Sequence, residues 1–387
     1  LNQQGQSGLW RFAISGDLPI VLLGIDDLAQ IDCARRLVQA HAYWRLHGVA
    51  ADLVILVSAG NKPTSGLRAS LLDAIASSDP GALIDKPGGI FVLAADEVGE
   101  AGNVLLLSVA RVVLHAGDGP LDAQLESRRA RGAMGVEVRQ VPAAPLGSHA
   151  VLETPIEAAR GLVFDNGFGG FTPDGREYVI TATAARMTPL PWINVLANPS
   201  FGTLVSESGS ASTWSENAQQ FRLTTWSNDP VSDANTEAFY IRDEDSGRFW
   251  SPTLLPAPAL ASAAGSGAAP YVTRHGFGYS VFEHAADGIA SEVTMFVAID
   301  APIKFVVLEL RNASSRARRL SVTGYVEWVL GDEREKTAMH VGTEVDAACG
   351  AMFARNAYNT DFAGRTAFFD KDAEGADPAA ISACGDR

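Results

Sequence analysis

Apolar residues in the first 120 positions fall into short continuous runs separated by longer stretches of helical period. Pro19 to Ile25, Leu53 to Val57 and Ile90 to Ala94 are nearly unbroken in Val, Ile, Leu and Ala, the pattern of strands covered on both faces. The first intervening helix opens near Asp26-Asp27, whose carboxylates suit a helix N-terminus. It carries Ile31, Ala34, Val38 and Ala42 on one face and stops at Gly48. A second helix is predicted over Leu67 to Ala76 and a third over Ala101 to Ala116. Buried runs alternating with helices predict a small α/β domain over residues 1–117.

The pattern then changes. Residues 118–160 are rich in Gly, Pro and Ala around Arg128-Arg129-Ala130-Arg131 and read as a linker, helical near Leu121 to Arg129. From Leu162 short alternating or aromatic runs recur between turn signals: Tyr178 to Ala182, Phe201 to Ser206, Ala238 to Arg242, Gly278 to His284, Ile289 to Ile299, Phe305 to Asn312, Arg319 to Val329 and Gly350 to Arg355. So many strands predict a large antiparallel sandwich over residues 161–387, and an α+β chain as a whole. Pro252 to Pro270, built of Ala, Pro, Gly and Ser, reads as a flexible loop, and no internal repeat is evident.

Composition sharpens this division. Of 7 Trp, 7 Tyr and 17 Phe, only Trp10, Phe12, Tyr43, Trp44 and Phe91 precede residue 151. The net charge of −15 divides as −3 over residues 1–150 and −12 over 151–387, so the acidity belongs to the sandwich. Such a balance repels phosphate backbones and anionic headgroups and argues against nucleic-acid and membrane-surface partners. Cys33, Cys349 and Cys384 are too scattered for a disulfide framework or a CxxC zinc site, which fits a reducing compartment. Apolar stretches such as Val104 to Leu114 fall short of a bilayer span, so no membrane insertion is expected. The opening Leu1-Asn2-Gln3-Gln4, without Met or signal peptide, is read as the start of a piece of something longer.

Candidate chemistry is sparse. Asn166-Gly167-Phe168-Gly169-Gly170-Phe171 is either a phosphate cradle or a structural corner; no Lys-Ser/Thr follows it, and Asp174-Gly175 nearby reads as a hairpin turn. The segment Ser58-Ala59-Gly60-Asn61-Lys62 likewise lacks the second half of a P-loop, and no Gly-rich motif follows Ile25, Val57 or Ala94, which argues against a nucleotide site. His41, His47, His115, His149, His275, His284 and His340 show no metal-ligand spacing, and Gly-x-Ser-x-Gly is missing, so neither a metal enzyme nor a hydrolytic triad is favoured.

The informative stretch runs from Ser206 to Pro230, where Trp214 and Trp226 sit among amides, hydroxyls, carboxylates and Arg222. A sugar offers apolar C–H faces and a rim of hydroxyls, so indole faces beside Glu216, Asn217, Arg222, Asn228 and Asp229 match it chemically. The competing reading makes both Trp packing residues, with Arg222 and Asp229 an internal ion pair that shapes the loop.

These motifs resemble glycoside hydrolase family 94. The resemblance rests on Asn166 to Phe171, Asp174-Gly175-Arg176-Glu177-Tyr178, Pro191-Trp192-Ile193-Asn194-Val195, Asn198-Pro199, Thr213-Trp214-Ser215 and Trp226-Ser227-Asn228-Asp229-Pro230. Glu327-Trp328-Val329-Leu330-Gly331, Ala354-Arg355-Asn356-Ala357-Tyr358-Asn359 and Phe362-Ala363-Gly364-Arg365 extend it. Gly5-Gln6-Ser7-Gly8-Leu9-Trp10 and Ile14-Ser15-Gly16-Asp17-Leu18-Pro19-Ile20 are similar to the branch of cyclic β-1,2-glucan synthases and β-1,2-oligoglucan phosphorylases.

The resemblance implies a galactose-mutarotase-like supersandwich that packs against a downstream (α/α)6 catalytic barrel and mediates a homodimer, with Trp214 to Asp229 as a loop reaching the active-site entrance. The family's general acid is an aspartate in that barrel, beyond Arg387, so no residue here is assigned a catalytic role. Inverting phosphorolysis of β-glucosides is the implied reaction of the parent, with inorganic phosphate as co-substrate, no cofactor, and a β-glucan oligosaccharide as substrate. A cytoplasmic location is implied, tethered to the inner membrane where the parent is a synthase. The N-terminal α/β domain resembles the region joining transferase and phosphorylase parts in such synthases and is expected to be a connector.

Overall fold

The computed structural model describes residues 2–58, 64–78, 83–126, 161–226, 235–259 and 269–372. Contacts group the chain into two units, one drawn from Leu1–Arg139 and Met339–Arg387, the other from Gln140–Ala338. This grouping and the expected domain over 161–387 differ after Ala338, because the last strands associate with the N-terminal ones.

The first unit is built on four parallel strands, β1 (Ile20–Ile25), β2 (Asp52–Val57), β3 (Ile90–Ala94) and β4 (Ala110–His115), in the order β3-β2-β1-β4. Three of them are the continuous apolar runs read from the sequence. The side-chain period of two sends Val21, Leu23 and Ile25 to one face and Ile20 and Leu22 to the other. Both faces are covered. On the first, α2 (Ile31–Leu46) and α3 (Thr64–Ser78) supply Leu37, Val38, Leu71 and Ile75; on the second, Val98, Leu105 and Leu106 of α4 (Ala95–Val109) join Leu9 of the single turn α1 (Ser7–Trp10).

Helix α2 is entered through a short 3-10 turn, Leu28–Gln30, at whose start the Asp27 carboxylate accepts the Ala29 N–H at 3.0 Å. It stops before Gly48, where φ is +76°. Its buried face is Ala34, Leu37, Val38 and His41, rotated slightly from the expected stripe. The expected third helix over Ala101 to Ala116 is corrected: α4 starts six residues earlier and ends at Val109, and Ala110–His115 form β4 beside β1. A run of Val112, Val113 and Leu114 suits a buried strand as well as a helix, and the open edge of β1 decides.

Three antiparallel strands late in the chain belong to this unit, β19 (Val341–Val345), β20 (Met352–Asn356) and β21 (Ala367–Phe369). Tyr358, just after β20, accepts the Gln6 N–H at its carbonyl (3.1 Å), donates its hydroxyl to the Gly16 carbonyl (3.1 Å) and stacks on His340 with centroids 4.1 Å apart.

The second unit is a sandwich. Its six-stranded sheet, in the order β16-β15-β14-β13-β6-β5, comprises β5 (Gly169–Phe171), β6 (Glu177–Ala182), β13 (Tyr271–Gly276), β14 (Tyr279–Ala286), β15 (Ile289–Val297) and β16 (Lys304–Asn312). Its five-stranded sheet, β18-β10-β9-β8-β7, comprises β7 (Ile193–Asn198), β8 (Phe201–Ser206), β9 (Ala211–Ser215), β10 (Arg222–Thr224) and β18 (Trp328–Gly331). A three-stranded sheet, β12-β11-β17, is made by β11 (Glu237–Asp243), β12 (Phe249–Trp250) and β17 (Leu320–Val326).

The core lies between the two larger sheets, with Leu196, Val205 and Ala211 against Phe282, Val293 and Met295. The expected strand Arg319 to Val329 is two strands in different sheets, parted at Glu327, whose N–H donates to the Thr236 carbonyl at 2.8 Å. The expected flexible loop Pro252 to Pro270 is packed in its first part. Ser251 to Leu254 are buried, the Ser251 hydroxyl donates to the Thr253 carbonyl at 2.7 Å, and Leu254 packs with Ala182 and Tyr271. Residues 260–268 lie outside the described ones. Among the described residues, no helix is long and apolar enough to cross a membrane.

Candidate functional site

The stretch expected as a loop around Trp214 is a β-hairpin. Trp214 lies in β9 and Arg222 directly opposite in β10, while on the other side Trp214 faces Gly202 of β8. Directly opposed residues share a sheet face, so Gly202, Trp214 and Arg222 form one row. The row above it runs Val195, Leu204 and Ser212 across β7, β8 and β9.

The indole lies flat because Gly202 has no side chain. A Cβ on that glycine would stand 2.3 Å from Trp214 Cζ2 and 2.8 Å from both Cε2 and Cη2, so three ring atoms rest on the neighbouring backbone. Trp214 is half-buried, and Ile193 and Val195 on the same sheet face are 44% and 54% exposed. One ring face is thus turned away from the sheet, in the orientation that stacking on a sugar requires.

The neighbours of Trp214 are fixed by the hairpin. Glu216 sits at φ +61° and donates its N–H to the Ser200 carbonyl at 2.7 Å. Asn217 closes the turn, its side-chain oxygen accepting the Gln219 and Gln220 N–H groups at 2.9 Å each. The Arg222 guanidinium donates to the Ala218 and Asp332 carbonyls at 3.3 and 3.2 Å, which ties the turn to the end of β18. Burial opposes the charge of Asp332, but Lys336 and the Glu333 N–H hold its carboxyl below the ordinary range. Trp226 is half-buried two residues beyond β10, and Asn228 and Asp229 lie outside the described residues. The structure therefore brings together Trp214, Glu216, Asn217 and Arg222, with the last two engaged in shaping the turn.

Beneath this row, on the inner side of β9, lies a charged cluster. Glu237 of β11 accepts hydrogen bonds from the Thr213 and Thr224 hydroxyls at 2.6 and 2.7 Å and pairs with Lys304 of β16. Burial alone would raise its carboxyl; the Lys304 charge and the three donated hydrogen bonds hold it below the ordinary range.

The other motifs resolve as architecture. Asn166 Oδ1 accepts the Phe168 and Gly169 N–H groups at 3.0 and 3.1 Å, and Asp165 Oδ1 that of Gly167 at 2.7 Å. The amides a phosphate would need are already used, so this segment is a structural corner. Asp174-Gly175 is the hairpin turn between β5 and β6, with the Gly175 N–H on the Thr172 carbonyl at 2.8 Å. The Glu207 carboxylate, in the β8–β9 turn, receives the Thr188 hydroxyl and, at 2.7 Å, the Trp192 N–H. Among the described residues, no three His, Cys, Asp or Glu side chains gather as metal ligands.

Gly202 is the residue of this site that the sequence reading missed. The signal was present: a lone glycine between Phe201 and Thr203 inside a strand pattern marks a close approach.

Comparison with known proteins follows the same regions. A family model described as "Glycosyl hydrolase 94, supersandwich domain" matches residues 176–387. The chain is 37% identical over 374 residues to the cyclic beta-(1,2)-glucan synthase NdvB of Rhizobium meliloti (strain 1021), covering 95% of the chain and 13% of that protein. It is 31% identical over 215 residues to the N,N'-diacetylchitobiose phosphorylase of Vibrio furnissii, covering 53% of the chain and 26% of that protein. The solabiose phosphorylase of Paenibacillus borealis is 31% identical over 166 residues, 42% of the chain and 20% of that protein. The chain thus spans about an eighth to a quarter of the length of these relatives. The synthase matches through both units, whereas the match to the family model begins at Arg176 in β6's approach, and the antiparallel strands that follow are those of a supersandwich. The chain belongs to glycosyl hydrolase family 94, of which it carries the supersandwich domain.

Proposed function

We propose that this chain is an accessory, carbohydrate-binding portion of a larger enzyme acting on β-glucans, either by inverting phosphorolysis or within cyclic β-1,2-glucan synthesis. The observation that carries the reading is the Trp214 indole laid flat over Gly202 in a row with Arg222. The flat ring supplies stacking, and the Glu216 to Arg222 turn beside it supplies polar groups at the ring's edge.

The remaining parts of this proposal are carried by the family resemblance set out in the sequence analysis. The sandwich is of the galactose-mutarotase-like type, the N-terminal unit is a connector or docking domain, and a catalytic (α/α)6 barrel with its general acid belongs to the parent enzyme. Inorganic phosphate is the parent's co-substrate, a homodimer its assembly, and the cytoplasm its location. On this reading the chain by itself releases no glucose 1-phosphate from β-1,2-glucooligosaccharides and phosphate, and such release would overturn it.

The binding role is tested by titrating β-1,2-glucooligosaccharides into the 387-residue chain while following tryptophan fluorescence. A saturable change that Trp214→Ala abolishes and Trp226→Ala leaves in place is the expected result. No change in the wild type, or an equal change in both variants, rejects it.

A further inference from the structure

A second aromatic ring in the sandwich lies flat over a glycine, on the face of the six-stranded sheet turned away from the core. A Cβ on Gly276 would stand 2.4, 2.6 and 2.8 Å from Cζ, Cε1 and Cε2 of Tyr279, its directly opposed neighbour across the β13–β14 hairpin. The tip of that hairpin, Phe277, is 87% exposed. Register places Glu177 of β6 on the other side of Gly276, and the Tyr279 hydroxyl reaches across to donate to Glu177 Oε1 at 2.6 Å. The ring is thereby held at both ends.

Beside it opens a cleft of about 490 Å³ lined by Thr172, Pro173, Asp174, Arg176, Glu177 and Tyr279. That volume is within the range of small-molecule sites, roughly 300–1,000 Å³. Asp174 Oδ1 accepts the Thr172 hydroxyl at 2.6 Å and the Arg176 N–H at 3.2 Å, and Oδ2 stands 3.8 Å from Arg176 Nε. Glu177 Oε2 is 3.7 Å from Arg274, which in turn pairs with Glu283 at 3.0 Å.

The chemistry of these walls selects a ligand class. Two carboxylates against one lining guanidinium disfavour an anion, so phosphates and sugar phosphates are repelled. Among the described residues no set of three ligating side chains is available for a metal ion. What remains matched is a neutral molecule with an apolar face for the tyrosine ring and vicinal hydroxyls for Asp174, Glu177 and Arg176.

We infer that the Tyr279 cleft is a second binding site of the sandwich, for a neutral hexose residue. The site does not depend on the Trp214 row; the choice of a β-glucan as the carrier of that hexose rests on the function proposed above. With two sites, one sandwich holds a glucan chain at separate points, and apparent affinity rises with chain length once both are engaged.

The experiment is amide NMR of the 387-residue chain titrated with a β-1,2-linked glucose trisaccharide, with glucose 1-phosphate in parallel. The trisaccharide is expected to shift the amides of residues 172–177 and Tyr279. Asp174→Asn, an isosteric change at an exposed turn that keeps an oxygen to accept the Thr172 hydroxyl and the Arg176 N–H, is expected to weaken this response about fivefold, the scale of one lost hydrogen bond. Tyr279→Ala abolishes it, Tyr279→Phe retains part of it, and Gly276→Ala, which lifts the ring, weakens it. Shifts confined to the Trp214 indole and β8–β10 overturn this inference and leave the proposed function standing. A spectrum unmoved everywhere overturns both, and a stronger response to glucose 1-phosphate overturns the neutral-sugar assignment. Should Tyr279→Ala fail to fold, Asp174→Asn decides.

Discussion

Glu237 and Lys304 form an ion pair in the interior of the sandwich, their side chains only 15% and 11% exposed. Thr213 and Thr224 donate to the carboxylate, so the pair is hydrogen-bonded as well as charged. Glu237→Gln strands the Lys304 ammonium and is expected to destabilise the sandwich by about 3–5 kcal/mol in urea unfolding. Replacing both residues with Met should lose less than the single change, since no lone charge is then left inside. Glu237 titrates below its unfolded value, so its contribution is complete above the ordinary carboxylate pKa and disappears as pH falls through the lower folded one. Glu237→Gln should accordingly flatten the acid limb of the stability curve.

The seat of Trp214 offers a second test. Gly202→Val places atoms where the indole now rests, at a Cβ separation of 2.3 Å. Overpacking of this kind costs about 1–3 kcal/mol. Glucan affinity should fall as far as in Trp214→Ala although the indole is still present, and the indole emission should shift with it. Undiminished binding in Gly202→Val would show that ring orientation is irrelevant.

His284 makes the sandwich sensitive to mild acid. Its ring stacks on Tyr271 with centroids 3.5 Å apart, Nδ1 is 3.3 Å from the Pro270 carbonyl, and burial pushes its pKa down to about 4. Unfolded chain takes up a proton near pH 6.5, which the fold refuses until about pH 4. Stability is therefore fully present above about pH 6.5 and declines as pH drops towards 4, by at most about 1.4 kcal/mol per pH unit for this group. His284→Gln should make that decline shallower in unfolding measured from pH 7 to pH 4.

In the first unit, Gly16→Ala is expected to be destabilising by about 1–3 kcal/mol, because φ is +82° and the new methyl would stand 2.4 Å from the Tyr358 hydroxyl. Tyr358→Phe alone removes one hydrogen bond, worth about 1 kcal/mol. The double variant should lose less than the sum of the two, since the second change relieves the clash of the first; thermal unfolding of all four proteins completes the cycle.

Strands β1, β2 and β3 were legible because strands buried on both faces leave unbroken apolar runs. Strand β4 was absorbed into a helix, since nothing local distinguishes Ala110–His115 from a helical end until β1 offers its edge. The segment Trp214 to Asp229, expected as a loop from the family resemblance, holds the end of β9 and all of β10. Thr213 and Thr224 look like surface residues, but their hydroxyls are consumed by Glu237, which in turn needs Lys304, 67 residues further on. At the site, residue types were legible and orientation was not. Trp214 and Arg222 were singled out by chemistry, whereas the flatness of the indole depends on Gly202 across a strand pair, and Arg222 proved to be engaged with the Ala218 and Asp332 carbonyls.

The hydrogen bond from Tyr358 to Gly16 joins residues 342 positions apart, and the sandwich strands lie between them in the chain. During synthesis from the N-terminus, β1 to β4 emerge long before β19 to β21, the strands that finish their unit. Every strand of the sandwich is therefore synthesised before Tyr358 is. The pairings of β1 to β4 close early and among themselves, but the hydrogen bond from Tyr358 that ties Gly16 into the first unit waits for a segment made 342 residues later.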